Sequence, residues 1–116
     1  MTTLLHVSDT HFGTERPAAV AALQRLSERL DPELLIVSGD LTQRARGRQF
    51  RAAAQALGAL RARHRLVIPG NHDIPLFNLV ARLANPYGGF RRAFGAALAP
   101  RVETAELLAL SVRTTR

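Results

Sequence analysis

Three stretches decide the fold of this chain: residues 3–11 (TLLHVSDTH), residues 34–40 (LLIVSGD) and residues 66–73 (LVIPGNHD). Each begins with a run of apolar, β-prone residues and ends at once in acidic, imidazole or amide side chains. Nearly continuous apolar runs are typical of strands in a sheet that is covered on both faces. The three stretches therefore predict three buried strands with polar groups at their carboxyl ends.

Two amphipathic segments separate these strands. The first begins at Pro17, where a helix tolerates proline, and stops at Asp31-Pro32. The apolar positions of the two segments recur at helical spacing: Val20, Leu23, Leu26 and Leu30 in the first, and Phe50, Ala53, Ala54, Leu57 and Leu60 in the second. A β-α-β-α-β order with short connections predicts an α/β fold whose mainly parallel strands are joined by right-handed crossovers.

The pattern weakens after the third strand. It predicts a short helix over residues 75–83, a turn over residues 85–89, a helical turn over residues 90–98 and a fourth strand over residues 106–112. No internal repeat, low-complexity tract or linker divides the chain. We therefore expect residues 1–116 to form a single domain.

The polar groups at the strand ends have the chemistry of a metal site. Ligands of open parallel sheets bind outside the carboxyl ends of the strands, which is where these groups lie. Asp9 and His11 are two residues apart, so on an extended segment they project to the same side and bind one metal. Asp40 follows a glycine that allows a tight turn, and its carboxylate is placed to bridge two metals. The side-chain carbonyl of Asn71 suits the second metal.

His72 and Asp73 form the predicted catalytic pair. His72 lies next to Asn71 in sequence, so we expect it to face the substrate and to donate a proton to the leaving alkoxide. Asp73 is predicted to accept the ring N–H of His72 and so to orient it. Two metals about 3.5–4 Å apart would clamp a phosphate and activate a water, which predicts phosphoester hydrolysis. The alternative is that each aspartate is an ordinary turn or cap residue.

The charge and amino-acid composition limit the kinds of partner that we expect for this chain. The net charge is +7, and every basic residue is an arginine. The arginines are scattered and aromatic rings are few, which favours solvated faces over a nucleic-acid surface. A basic nucleic-acid-binding module remains an alternative that rests on net charge alone. No apolar run approaches the roughly 20 residues of a membrane span. The chain also has no cysteine and no basic leader, so we expect it in the cytoplasm.

The order of the motifs resembles that of calcineurin-like metallophosphoesterases, in particular the bacterial branch related to class III cyclic nucleotide phosphodiesterases. The resemblance rests on residues 4–13 (LLHVSDTHFG), 38–46 (SGDLTQRAR) and 69–75 (PGNHDIP). It implies a four-layer α/β/β/α sandwich with two divalent or trivalent ions of manganese, iron or zinc. The substrates that it allows are small phosphoesters: cyclic nucleotides, phosphomonoesters, other phosphodiesters and phospholipid headgroups.

The resemblance also assigns the site residues. It implies that Asp9 and His11 bind the first metal, that Asp40 bridges, and that Asn71 binds the second metal. His72 would stabilise the phosphate or protonate the leaving group.

The family pattern continues with histidines that this sequence lacks, namely one in a later strand and a Gly-His-x-His pair. The only histidines here are His6, His11, His64 and His72. We therefore expect residues 1–116 to be the amino-terminal half of the sandwich, a carboxy-terminally truncated domain. Two outcomes follow: an active hydrolase, or an inactive remnant that binds metal or phosphate weakly. An uncovered sheet face and edge predict self-association and poor solubility.

Overall fold

A three-stranded parallel sheet forms the centre of the computed structural model, which describes residues 2–115. Its strands are β1 (Leu4–Val7), β2 (Leu34–Ser38) and β3 (His64–Ile68), in the spatial order β1-β2-β3. Helix α1 (Pro17–Leu30) joins β1 to β2, and α2 (Gly47–Gly58) joins β2 to β3. The predicted β-α-β-α-β order and the parallel pairing are confirmed. Within residues 2–115, none of the helices has the length and apolar character needed to span a membrane.

The hydrophobic core lies between one face of this sheet and the helices. Leu5, Leu35 and Val37 alternate along their strands and meet the buried residues Phe50 and Leu57 of α2. This arrangement confirms the predicted stripe of α2, although Ala54 is only half-buried. Helix α1 packs less closely than predicted. Val20, Leu23 and Leu26 of its predicted stripe are half-buried, and the last residue of that stripe, Leu30, is 39% exposed.

The region after β3 differs from the prediction in its details. It contains a single 3₁₀ turn and four further elements: Asn71–Asp73, then α3 (Leu79–Ala84), α4 (Gly88–Phe94), β4 (Arg101–Glu103) and β5 (Leu108–Leu110). The helix expected over residues 75–83 thus begins later. The strand expected over residues 106–112 is shorter, and it pairs antiparallel with a strand that the sequence did not predict.

Helix α4 begins inside the stretch that was predicted to be a turn. The Gly88-Gly89 pair suggests a turn, but the second glycine serves packing. A Cβ on Gly89 would lie 2.5 Å from Cε2 of Phe50, so the absence of a side chain lets α4 approach α2. Phe90 is consequently buried in the core. Tertiary contact overrides local composition here.

Several large apolar side chains remain exposed around the sheet and the hairpin. Leu4 of β1, Leu108 and Leu110 of β5, and Val112 are all at least half exposed. The expected uncovered face of the three-stranded sheet is seen only at its edge, at Leu4, because Leu34 and Leu66 on the same face are buried. Self-association through it stays a prediction.

Candidate metal centre

The backbone brings the three motifs to one edge of the sheet. Beyond the strands, the amide of Asp9 donates to the carbonyl oxygen of Gly39 at 3.2 Å, and the amide of Gly39 donates to that of Ile68 at 2.9 Å. The amide of His11 donates to the carbonyl oxygen of Asp40 at 2.9 Å. The parallel register therefore extends into the loops, and residues far apart in sequence meet there.

Asp9, His11 and Asp40 form a compact cluster of potential metal ligands. One ligand atom from each lies within 4.8 Å of the other two. Nε2 of His11 is 3.7 Å from Oδ1 of Asp9 and 3.9 Å from Oδ2 of Asp40. These distances are too long for hydrogen bonds. They are close to the separation of about 3.4 Å expected for two ligand atoms that share one tetrahedral ion at about 2.0–2.2 Å.

The backbone at this cluster is left-handed rather than extended. The φ angles are 56° at Asp9, 45° at His11 and 49° at Asp40. Asp9 and His11 were predicted to project to the same side because the segment is extended. That explanation is wrong, because the segment is not extended at either residue. Their side chains converge because the chain turns at both residues. Non-glycine residues in this region are uncommon, cost roughly 1–3 kcal/mol each, and tend to concentrate at functional sites.

The donor set suits a metal ion. Nδ1 of His11 is a buried atom with no hydrogen-bond partner among residues 2–115. Buried polar atoms are normally paired, and those without a protein partner call for an explanation. The other ring nitrogen, Nε2, faces the two carboxylates without a hydrogen bond to either, so it is the nitrogen available to a metal ion. An imidazole beside two carboxylates is a donor set that manganese, iron and zinc accept.

Asn71 lies beside this cluster. It lines a cavity of about 320 Å³ together with Asp9 and Asp40. The sequence placed Asn71 at a second metal, and the structure brings it to the same cavity as two of the predicted ligands. Asp40 lies between the loop after β3 and His11. Its Oδ1 accepts the backbone N–H of His72 at 3.0 Å, while its Oδ2 faces the ring of His11.

The ring of His72 is oriented by a backbone carbonyl. Its Nδ1 lies 2.9 Å from the carbonyl oxygen of Gln43. A carbonyl oxygen only accepts, so Nδ1 carries the hydrogen and Nε2 is left for another partner. The ring also packs edge-on against His11, with centroids 4.7 Å apart. The predicted hydrogen bond from the His72 ring to Asp73 is therefore wrong.

Asp73 supports the loops instead. The residue is 1% exposed, and its carboxylate accepts four hydrogen bonds, from the amides of Leu41, Thr42 and Gly70 and from Oγ1 of Thr42. Burial raises the pKa of Asp73, and the four hydrogen bonds oppose that rise. The side chain is unavailable to the His72 ring because it satisfies donors that would otherwise be buried without partners.

Two glycines allow the loops to pack this closely. Gly39 has a φ of 81°, as expected for the glycine before Asp40. A Cβ on Gly70 would lie 2.2 Å from the backbone nitrogen of Asp40, so only glycine fits there.

Gln43 and Thr42 contribute contacts to the site that the sequence did not predict. Gln43 acts through its backbone, so no side-chain pattern signals it. Thr42 lies in a motif stretch, but its partner Asp73 is remote in sequence.

Comparison with known proteins identifies relatives of this chain. The family description "calcineurin-like phosphoesterase" matches residues 2–110. The chain is 39% identical over 83 residues to the glycerophosphodiester phosphodiesterase GpdQ of Enterobacter lignolyticus (strain SCF1). That alignment covers 60% of this chain and 29% of the relative, so the match spans less than a third of the relative's length.

Proposed function

This chain belongs to the calcineurin-like phosphoesterase family, and from that membership we propose that it contributes to a metal-dependent phosphoester hydrolase with a two-metal site. The observation that carries the proposal is the convergence of Asp9, His11 and Asp40 within 4.8 Å at the carboxyl edge of the sheet. The left-handed backbone at all three residues supports it independently of the family match.

Each predicted ligand has a role in the proposal. Asp9 and His11 would hold one ion, Asn71 would hold the second through its side-chain oxygen, and Asp40 would be a ligand common to both. Manganese, iron and zinc all accept these donors. When bound, such ions polarise a phosphoryl oxygen and lower the pKa of water. The protein fixes the positions of the ligands. The hydrogen bonds between the loops and the close approach allowed by Gly70 keep those positions.

His72 is proposed to act on the phosphate or on the leaving group. The hydrogen bond from Nδ1 to the carbonyl of Gln43 leaves Nε2 as its reactive nitrogen. When Nε2 is protonated, it donates a hydrogen bond to a phosphoryl oxygen or transfers its proton to the departing alkoxide. The ring faces a cavity of about 220 Å³ that Asn71 also lines, so both residues are accessible to one ligand.

Phosphodiesters are the proposed substrate class. The relative is named a glycerophosphodiester phosphodiesterase, which supports diesters of small alcohols ahead of cyclic nucleotides and monoesters. A second candidate is metal binding without turnover. It is favoured by the exposure of the site, because the Asp9 side chain is 63% exposed and the chain itself therefore does not exclude water around that ligand.

The test is hydrolysis of bis-p-nitrophenyl phosphate and p-nitrophenyl phosphate by the purified chain with added Mn²⁺. Asp40→Asn removes a ligand charge and keeps a residue type that tolerates the left-handed backbone. Asp31→Asn is a matched control, because Asp31 also has a positive φ, of 46°, and lies at the carboxyl end of α1.

We expect turnover that is lost in Asp40→Asn and kept in Asp31→Asn. Equal turnover in both variants would contradict the proposed site. Mn²⁺ binding in calorimetry without turnover would favour the second candidate. If neither Mn²⁺ binding nor turnover were observed, both candidate functions would be excluded.

A further inference from the structure

Residues 76–83 present an apolar surface to solvent. Five large side chains in this segment are between 49% and 86% exposed: Leu76, Phe77, Leu79, Val80 and Leu83. In α3, residues 79, 80 and 83 lie on one side of the helix, while Arg82 turns inward and donates from Nη1 to the carbonyl of Pro75 at 3.1 Å. The usual arrangement, with the apolar side towards the core, is reversed. A continuous exposed apolar patch marks an interaction site.

A basic cleft adjoins this apolar segment. Arg44, Arg46 and Arg92 line a cavity of about 340 Å³ together with Leu76 and Phe77. The guanidinium carbon of Arg44 lies 6.0 Å from the centroid of the Phe77 ring. Within residues 2–115, no carboxylate lies within salt-bridge distance of these three arginines. Residues 74–102 contain four arginines and no aspartate or glutamate.

We propose that residues 76–83 and the three arginines form one face, the basic–apolar face, that docks on a membrane surface containing anionic lipid. The apolar side chains would enter the boundary between headgroups and acyl chains, and the guanidinium groups would bind lipid phosphates. An exposed apolar side flanked by arginines is the arrangement found in helices that lie in the membrane interface. The net charge of +7 favours the same partner.

Other occupants explain less of this surface. A small soluble phosphate would use the arginines and leave the five apolar side chains in water. A second copy docking through the same face would bring two sets of unpaired arginines together, which is repulsive. An anionic lipid surface satisfies both halves of the face. The proposal goes beyond the proposed hydrolysis, because docking requires neither metal nor turnover.

The experiment is co-sedimentation of the full chain with vesicles in the presence of EDTA. Vesicles of phosphatidylcholine with phosphatidylglycerol are compared with vesicles of phosphatidylcholine alone. We expect binding to the anionic vesicles that weakens as salt is raised. Arg44→Gln and Arg92→Gln should each weaken it about fivefold, which corresponds to about 1 kcal/mol per arginine near the surface. Phe77→Ser and Leu83→Ser should each weaken it about tenfold or more.

The matched controls are the same types of substitution, Leu to Ser and Arg to Gln, at exposed positions outside the basic–apolar face. Leu110→Ser removes an exposed leucine of β5, and Arg25→Gln removes an exposed arginine of α1. Both should bind the anionic vesicles within about twofold of wild type, because single lost contacts outside a docking face have little effect. Circular dichroism checks that every variant is folded, which we expect because the altered side chains are exposed.

Three results would overturn the proposal. The first is no sedimentation with anionic vesicles at low salt. The second is an equal loss in the control variants, which would mean that overall charge and hydrophobicity cause the binding. The third is release of the chain from vesicles by millimolar inorganic phosphate, which would identify the arginine cleft as a site for a soluble anion.

Discussion

Replacing Asp73 with alanine should destabilise this chain more than any change at the metal ligands does in the absence of metal. The Asp73 carboxylate joins two loops, because it accepts from Leu41 and Thr42 after β2 and from Gly70 after β3. It is almost completely buried. Its removal leaves three backbone N–H groups and the Thr42 hydroxyl without this acceptor.

The magnitude follows from those donors. A buried donor left without a partner costs about 1–3 kcal/mol, and water entering the vacated space would recover part of that cost. We expect a loss of about 3–6 kcal/mol, which is a large fraction of the roughly 5–15 kcal/mol that stabilises a typical domain. In Asp73→Asn, the amide nitrogen must replace an oxygen that accepts two hydrogen bonds. That variant should therefore lose about half as much.

The assay is urea unfolding followed by circular dichroism in EDTA. Glu103→Ala is the control, because Glu103 is exposed and its carboxylate forms a surface ion pair with Arg101 at 3.3 Å. Its effect should stay within about 0.5 kcal/mol. A decrease in the free energy of unfolding of less than about 1 kcal/mol in Asp73→Ala would refute the reasoning. It would mean that the buried donors find other hydrogen-bond partners when the carboxylate is removed.

Three further predictions concern the metal, the glycines and the core. Mn²⁺ at about one hundred times its dissociation constant should raise the free energy of unfolding by about 2.7 kcal/mol, and Asp40→Asn should remove that increase in matched urea titrations. In thermal melting, Gly70→Ala should lower the free energy of unfolding by about 1–3 kcal/mol, because the added Cβ would clash with the backbone of Asp40. Gly58→Ala has open space around it and should raise the free energy of unfolding by about 0.5–1 kcal/mol. Phe90→Ala should cost about 3–5 kcal/mol in urea, and a neutral result would contradict the packing of α4.

The sequence predicted the sheet, and it predicted that the polar groups of the candidate site meet at one edge, because both depend on local signals. Apolar runs, helical spacing and turn residues agree from β1 to β3, so the parallel order follows from them. Parallel strands place their carboxyl ends at one edge, and that alone brings Asp9, Asp40 and Asn71 to one cavity.

The remaining details depend on contacts that no local signal reports. The left-handed turns at Asp9 and His11 follow from the way the loops pair, since both residues hydrogen-bond to the strand-end loop after β2. The orientation of His72 depends on a backbone carbonyl. The start of α4 depends on how closely Gly89 can approach Phe50. In each case tertiary packing decides between alternatives that the local sequence leaves equal.

Two aspartates of the motifs illustrate how environment assigns chemistry. Both oxygens of Asp73 are filled by protein donors, so its carboxylate has little capacity left for an ion. One oxygen of Asp40 accepts the amide of His72, and the other faces His11 at 3.9 Å without a hydrogen bond between them. Asp40 can therefore accept a metal ion, while Asp73 holds the loops that position it. The two substitutions should separate accordingly: Asp40→Asn should remove metal binding with little effect on the metal-free fold, and Asp73→Ala should weaken the fold itself.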